Sequence, residues 1–305
     1  MRQQYFHALG HKGFHRIAYT EWGAPDNGHV VLCVHGLARN ARDFDFLARS
    51  LAPKCRVICM DVVGRGDSDW LDNKSGYTFS TYQSDAAAML ARATAPRRPG
   101  WIARLLQREA VKVDWVGTSM GGLIGMLLAA RRSSPIRRLV LNDVGPFIPW
   151  SALFRIKGYV ARGKLFASLE EVEAYLRETC ASFGSLTDAQ WRHLAIHGAQ
   201  RVNGQGYTLK YDPAIGAGLQ GQVDPELPLG PDVLRGIDLW KTWDQVECPT
   251  LLLRGAESEV LLPKTVEEMK RRKPELQVVE FPGVGHAPAL MEEEQIGVVR
   301  RFLLD

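Results

Sequence analysis

A chain of 305 residues, 46% hydrophobic and 24% charged, is long enough to bury the core of one large α/β domain, with or without a smaller insert. Its net charge of +4 and pI near 8.8 are mildly basic, and the arginines and lysines between positions 92 and 138 are too diffuse for a nucleic-acid stripe. No apolar run has signal-peptide or membrane-spanning length. The expectation is therefore a cytoplasmic protein with neither nucleic acid nor membrane as partner; monomer and homodimer both stay open. Its five cysteines, odd in number and set mostly in apolar stretches, read as reduced core thiols.

In chain order, alternating apolar positions over 15–22 predict a first strand, and the glycines and proline of 23–28 its turn. The continuous apolar run 30–34 has the pattern of a parallel strand buried on both faces, with His35, Gly36, Leu37 and Ala38 at its carboxyl end. That edge is where open α/β sheets bind ligands. A helix over 43–51, a strand over 56–61 and a long helical region over 82–108, broken at 96–100, follow. The stretch 111–116 is β-branched and aromatic and predicts a strand. Gly121, Gly122, Gly125 and Ala129 then open a helix able to pack closely on a sheet. Another strand is expected over 137–142.

From 147 to 240 the strand/helix alternation stops. Amphipathic helices are predicted at 153–166, 169–183 and 189–197, forming an inserted helical cap (147–240) on a core made of 1–146 and 241–305. Alternation resumes with a strand at 249–254, a helix at 263–272, a strand at 276–281 and a last helix at 292–304.

Gly117-Thr118-Ser119-Met120-Gly121 fits G-x-S-x-G at a strand-to-helix turn, where small neighbours let the backbone bend and push the serine hydroxyl out. Ser119 is thus a candidate nucleophile. A serine hydroxyl barely ionises at neutral pH, so it needs a base within hydrogen-bond reach. His286, just past the last predicted strand, opens on the same sheet edge. The carboxylate that orients it is expected between the two in sequence and at a strand end, where Glu257 and Glu259 stand.

These motifs, with Asp61, Gly64, Gly66 and Ser68, with 139–146, and with Gly285 to Pro288, resemble the α/β-hydrolase fold with a helical cap along nearly the whole chain. The resemblance implies a mostly parallel central sheet flanked by helices, Ser119 as nucleophile, His286 as general base, and the N–H groups of Leu37 and Met120 as oxyanion hole. It also implies Glu259 as the acid, at the position where aspartate is commoner. Asp143 is the reserve candidate, because some relatives place the acid there; otherwise it closes the turn into the cap. Phe147 and Trp150, with Phe154, Tyr159 and Phe166, are candidates for an apolar substrate pocket.

The implied activity is hydrolysis of a small, largely apolar carboxylic ester through an acyl-enzyme, with neither metal nor organic cofactor. Two rivals share the fold. One is a C–C hydrolase of ring-fission products, for which Arg155 or Arg162 could hold a carboxylate; the other is a non-catalytic binding protein. Gly216 to Gly221 spells G-x-G-x-x-G without a strand before it, and no dinucleotide site is expected. His193 and His197, spaced like a helical metal pair, read as an ordinary helix face, and His7, His11 and His15 as part of a fraying segment.

Overall fold

A computed structural model describes residues 1–10, 12–95, 111–160, 163–202, 204, 206–219 and 230–305. Its eight-stranded sheet runs β1 (Arg2–Gly10), β2 (Gly13–Trp22), β4 (Arg56–Met60), β3 (Val30–Val34), β5 (Val113–Thr118), β6 (Ile136–Asn142), β12 (Thr250–Gly255), β13 (Gln277–Phe281). β1, β2 and β4 pair antiparallel, and the remaining neighbours pair parallel. This is the α/β-hydrolase architecture that the sequence implies.

Both faces of the parallel strands are covered, which is why they read as unbroken apolar runs. Val30, Leu32 and Val34 of β3 face one core. Val31 and Cys33 face the other. The first core takes α2 (Phe79–Thr94) and α3 (Met120–Ala129); the second takes α1 (Asp45–Leu51) and the last helix of the chain (Glu293–Leu304). Cys33, Cys55 and Cys59 are buried and all five cysteines are free thiols. Among the described residues no helix is long and apolar enough to cross a membrane.

The order of the strands creates the site. β3 pairs with β4 on one side and β5 on the other, so the connections leave in opposite directions and a crevice opens at the carboxyl ends of β3 and β5. Those ends carry His35 to Leu37 and Ser119 respectively.

The segment after β6 leaves the sheet through β7 (Phe147–Pro149) and returns through β11 (Gly236–Asp238), which pair with each other as a two-stranded neck. Between them lie α4 (Trp150–Val160), α5 (Leu169–Thr179) and α6 (Asp188–Gly198). The two-residue strand β8 (Leu165–Phe166), β9 (Ala199–Val202) and β10 (Gly206–Leu209) add a three-stranded sheet, in the order β8-β10-β9.

The insert is therefore not purely helical. The expected helix over 153–166 is corrected: Leu165 and Phe166 are extended, paired with Thr208 and Tyr207. The expected helix over 169–183 ends at Thr179, followed by a short 3-10 turn at Ala181–Phe183. Periodicity alone cannot see strands of two to four residues, because their pairing is entirely non-local. The same reason hid β1, whose partner is β2. His7 and His15 belong to that hairpin and not to a fraying segment, while His11 lies outside the described residues. Likewise the helix expected over 82–108 is seen as α2, and its later half lies outside the described residues. Gly216 to Leu219 end a 3-10 turn, with Gly221 outside the described residues.

Candidate active site

β5 ends in a sharp elbow. Ser119 has φ +51° and ψ −114°, a left-handed backbone that a non-glycine residue adopts only when its surroundings force it. The surroundings do so by close approach: a Cβ on Gly117 would lie 2.3 Å from Gly121 O, and one on Gly121 would lie 2.0 Å from Val34 O. Only glycine lets the first turn of α3 fall back onto β5 and β3. The Ser119 N–H donates to Asn142 O at 2.9 Å, pinning the elbow to β6.

His286 lies in the loop after β13. Its Nε2 is 2.9 Å from Ser119 Oγ and its Nδ1 is 2.7 Å from Asp143 Oδ2. The carboxylate beside Nδ1 accepts a hydrogen bond from it and so keeps the ring proton on that nitrogen, which leaves the Nε2 lone pair to accept the Ser119 hydroxyl. Asp143, fully buried, also has φ +56°. Its Oδ1 accepts the Gly255 N–H at 2.9 Å, and its Oδ2 accepts the Ser258 hydroxyl at 2.5 Å.

Glu259 is not beside the histidine. Its carboxylate pairs with Arg155 at 2.7 Å, and the two side chains are 65% and 55% exposed. The reason lies one residue earlier. Ser258 turns inward, giving its hydroxyl to Asp143 while its oxygen accepts the N–H groups of Val260 and Leu261. With the loop wound around Ser258, Glu259 is left facing out, and the expectation of Glu259 beside the imidazole is corrected: the carboxylate at His286 Nδ1 is that of Asp143. β6 and β12 are parallel neighbours with Asn142 opposite Leu253, so a carboxylate at the end of either strand can reach the same imidazole. Glu257, the other alternative, lines the cavity described below.

Several supporting groups escape sequence reading because each acts from a distant segment. Asn142 Nδ2 donates to Thr118 Oγ1 and to Pro288 O, at 3.0 and 2.8 Å, joining the elbow to the histidine loop. From the insert, Ser182 Oγ donates to His286 O at 3.0 Å while its carbonyl accepts the Gly285 N–H at 2.7 Å.

Across from the elbow, the loop after β3 passes close by: a Cβ on Gly36 would stand 3.7 Å from Ser119 Cβ. Met120 opens α3, where a first-turn N–H has no carbonyl one turn earlier to bind. Arg65, fully buried, binds Leu37 O at 2.8 Å and Val63 O at 2.7 Å, approaches Met120 Sδ, and stacks over the Tyr82 ring. One guanidinium thus braces both predicted oxyanion segments.

His35 braces the same loop from below. Its Nδ1 is 2.7 Å from Gly36 O, an obligate acceptor, and its Nε2 accepts the Val62 N–H at 3.0 Å. The geometry fixes a neutral ring protonated on Nδ1, and burial lowers its pKa to about 4. Its folded pKa lies below the unfolded value of 6.5, so its contribution to stability is complete above that value and is lost as pH falls towards 4. Nearby Asp61 carries the opposite sign. Burial pushes its carboxyl up to about 7 although it accepts two backbone N–H groups, so its contribution falls as pH rises through neutrality. Because the two oppose each other, bulk stability curves would blur them. A site-resolved nitrogen NMR titration should find His35 neutral and Nδ1-protonated at pH 5; an imidazolium there would refute the assignment.

Ser119 and His286 open onto a cavity of about 450 Å³. The core contributes Leu37, Phe44 and Met291 to its wall, and the insert contributes Tyr175, Phe183 and Tyr211. Two of the expected pocket aromatics are corrected: Phe147 lines a separate groove with Trp240, and Trp150 packs on the edge of the main core. Phe166 is buried inside the insert's own core and Phe154 is exposed. The side chains of Tyr159 and Arg162 lie outside the described residues. An aromatic residue in an amphipathic segment carries no mark of which packed face it will join.

His193 and His197 face the core helix α1. His193 Nε2 donates to Arg42 O, and His197 Nδ1 accepts from Arg42, whose guanidinium also grips Asp45. Burial, with the nearby Arg42 charge, lowers His197 to about 4. The ligand atoms of Asp45, His193 and His197 lie within 4.8 Å of one another, with the Arg42 cation bound to two of them.

Residues 31–300 match the family model described as the alpha/beta hydrolase family. The chain belongs to that family. The hydrolase is 41% identical over 293 residues to a 3-hydroxybutyrate-oligomer hydrolase of Cupriavidus necator, covering 95% of this chain and 93% of the relative. It is 27% identical to a 2-(acetamidomethylene)succinate hydrolase of Mesorhizobium japonicum, over 85% of this chain and 82% of the relative. Among solved structures, an α/β hydrolase from Novosphingobium aromaticivorans superposes with a TM-score of 0.80 at 32% identity, covering 99% and 97% of the two chains.

Proposed function

We propose that this hydrolase cleaves short esters of the 3-hydroxybutyrate type through an acyl-enzyme on Ser119. The observation that carries the reading is the unbroken hydrogen-bond relay from Ser119 Oγ through His286 to Asp143, opening on a cavity whose volume suits a small acyl chain. The 41% relative supports the substrate class, since units of 3-hydroxybutyrate join through ester bonds.

Ser119 Oγ adds to the ester carbonyl carbon while its proton passes to His286 Nε2. Asp143 holds the ring in the tautomer that can accept that proton and offsets the imidazolium charge. The carbonyl oxygen, now anionic, is received by the Leu37 and Met120 N–H groups. Collapse of the tetrahedral intermediate breaks the carbon–oxygen bond, and the departing alcohol oxygen takes the proton from His286. Water, deprotonated by the same nitrogen, repeats the sequence on the acyl-enzyme and releases the acid. The described residues of the insert act as a cap that walls the cavity and, through Ser182, steadies the histidine loop.

Incubating the purified enzyme with the 3-hydroxybutyrate dimer and following monomer release by chromatography tests the reading. Turnover should be abolished by prior labelling with a fluorophosphonate, and the label should map to Ser119. Labelling elsewhere, or turnover that survives labelling, would overturn it.

A further inference from the structure

Glu259 and Arg155 remain to be explained. They stand on opposite sides of the cavity mouth, Arg155 on α4 of the insert and Glu259 on the core loop one residue after Ser258, and both line the space into which Ser119 opens. Their contact is a single 2.7 Å ion pair between side chains more than half exposed.

Two other cations reach the same cavity among the described residues. Arg39 is held by Asp43 through two hydrogen bonds of 2.8 and 2.7 Å, with both side chains under 20% exposed. Lys210 is held by Asp67 at 2.5 Å. Releasing either would leave a half-buried charge unpaired, whereas an ion pair in open water gains little by staying closed. Arg155 is therefore the cation that can change partners at least cost. A guanidinium offers a planar fork that fits a carboxylate better than an ammonium does.

We infer that Arg155 and Glu259 form an exchangeable carboxylate subsite at the mouth of the cavity, in which the free carboxylate of an anionic ester displaces Glu259 from Arg155. The inference rests on the ester-hydrolase reading and deepens it: a 3-hydroxybutyrate oligomer ends in a carboxylate only a few bonds from its last ester. With that ester at Ser119, the carboxylate cannot sink into an apolar wall without a counter-ion. At the mouth it meets Arg155, one carboxylate replaces another, and Glu259 swings into water. Charge is conserved at each step, so the exchange selects anionic esters without burying an unpaired ion. Glu259 is then a competitor that sets how tightly the subsite holds.

The test compares the 3-hydroxybutyrate dimer with its methyl ester, the same molecule with its carboxylate neutralised, and reads kcat/KM for cleavage of the inner ester. In the wild type the acid should be preferred over the methyl ester by about tenfold or more, mainly through KM, and the preference should shrink as salt is raised. Arg155→Met should bring the ratio near one. Glu259→Gln should raise it severalfold. Equal rates on acid and methyl ester in the wild type, or a ratio indifferent to Arg155→Met, overturn the subsite and leave the esterase reading standing. If the wild type cleaves p-nitrophenyl butyrate but neither dimer form, the hydroxybutyrate reading falls, and the subsite with it.

Discussion

Ser119→Ala should lower kcat/KM on any ester by roughly ten-thousand- to million-fold, with the folded protein intact. The size follows from the geometry. Ser119 Oγ is the atom that His286 Nε2 faces at 2.9 Å, and no water placed there would have the same fixed approach to a carbonyl. The strained φ of +51° is enforced by Gly117, Gly121 and the bond to Asn142 O, none of which involve the hydroxyl. Alanine keeps the Cβ, so it inherits the elbow. Retention of more than about a hundredth of the wild-type kcat/KM in a circular-dichroism-verified variant would exclude Ser119 as nucleophile.

The second large effect separates two carboxylates, Asp143, which Ser258 binds, and Glu259, one residue after that serine. Asp143→Asn should reduce kcat roughly thousand- to ten-thousand-fold with a much smaller change in KM. The amide is nearly isosteric, but its NH2 group would face His286 Nδ1 or the Ser258 hydroxyl, both donors in the native arrangement. To accept that hydrogen the imidazole must move its proton to Nε2, where it can no longer serve as base for Ser119. Glu259→Gln, by contrast, changes only the exposed pair with Arg155, and its effect on hydrolysis of a neutral ester should be at least a hundredfold smaller. The reverse ranking, measured on p-nitrophenyl butyrate, would restore Glu259 as the acid. The low-temperature pH profile of Asp143→Asn adds a check, because activity regained at high pH would signal a base other than His286.

Much of this site is legible along the chain because it is local. The elbow needs three consecutive conditions, a β-branched strand, small residues flanking a serine and a close-packing helix, and all fall within residues 113–129. The histidine follows a strand end in the same way. The acid is different. Its identity depends on which of two parallel neighbours, β6 or β12, delivers a carboxylate to a shared edge, and that turns on one inward-facing serine, Ser258, and on the left-handed backbone of Asp143. Nothing in the local sequence of 257–259 says which side chain faces in. The insert departs from its expected helices for a related reason. Its amphipathic stretches carry the helical period, but β8, β9 and β10 are two to four residues long and exist only by pairing with one another.

The fold class, the Ser119 elbow and the loop of His286 are written in the sequence, since each follows from periodicity and turn chemistry within a short window. The carboxylate beside His286, the cavity wall and the pairing of Arg155 with Glu259 exist only in the folded chain. Those features join segments about a hundred residues apart or more, and which partner faces which is fixed by packing and burial, quantities that no short window contains.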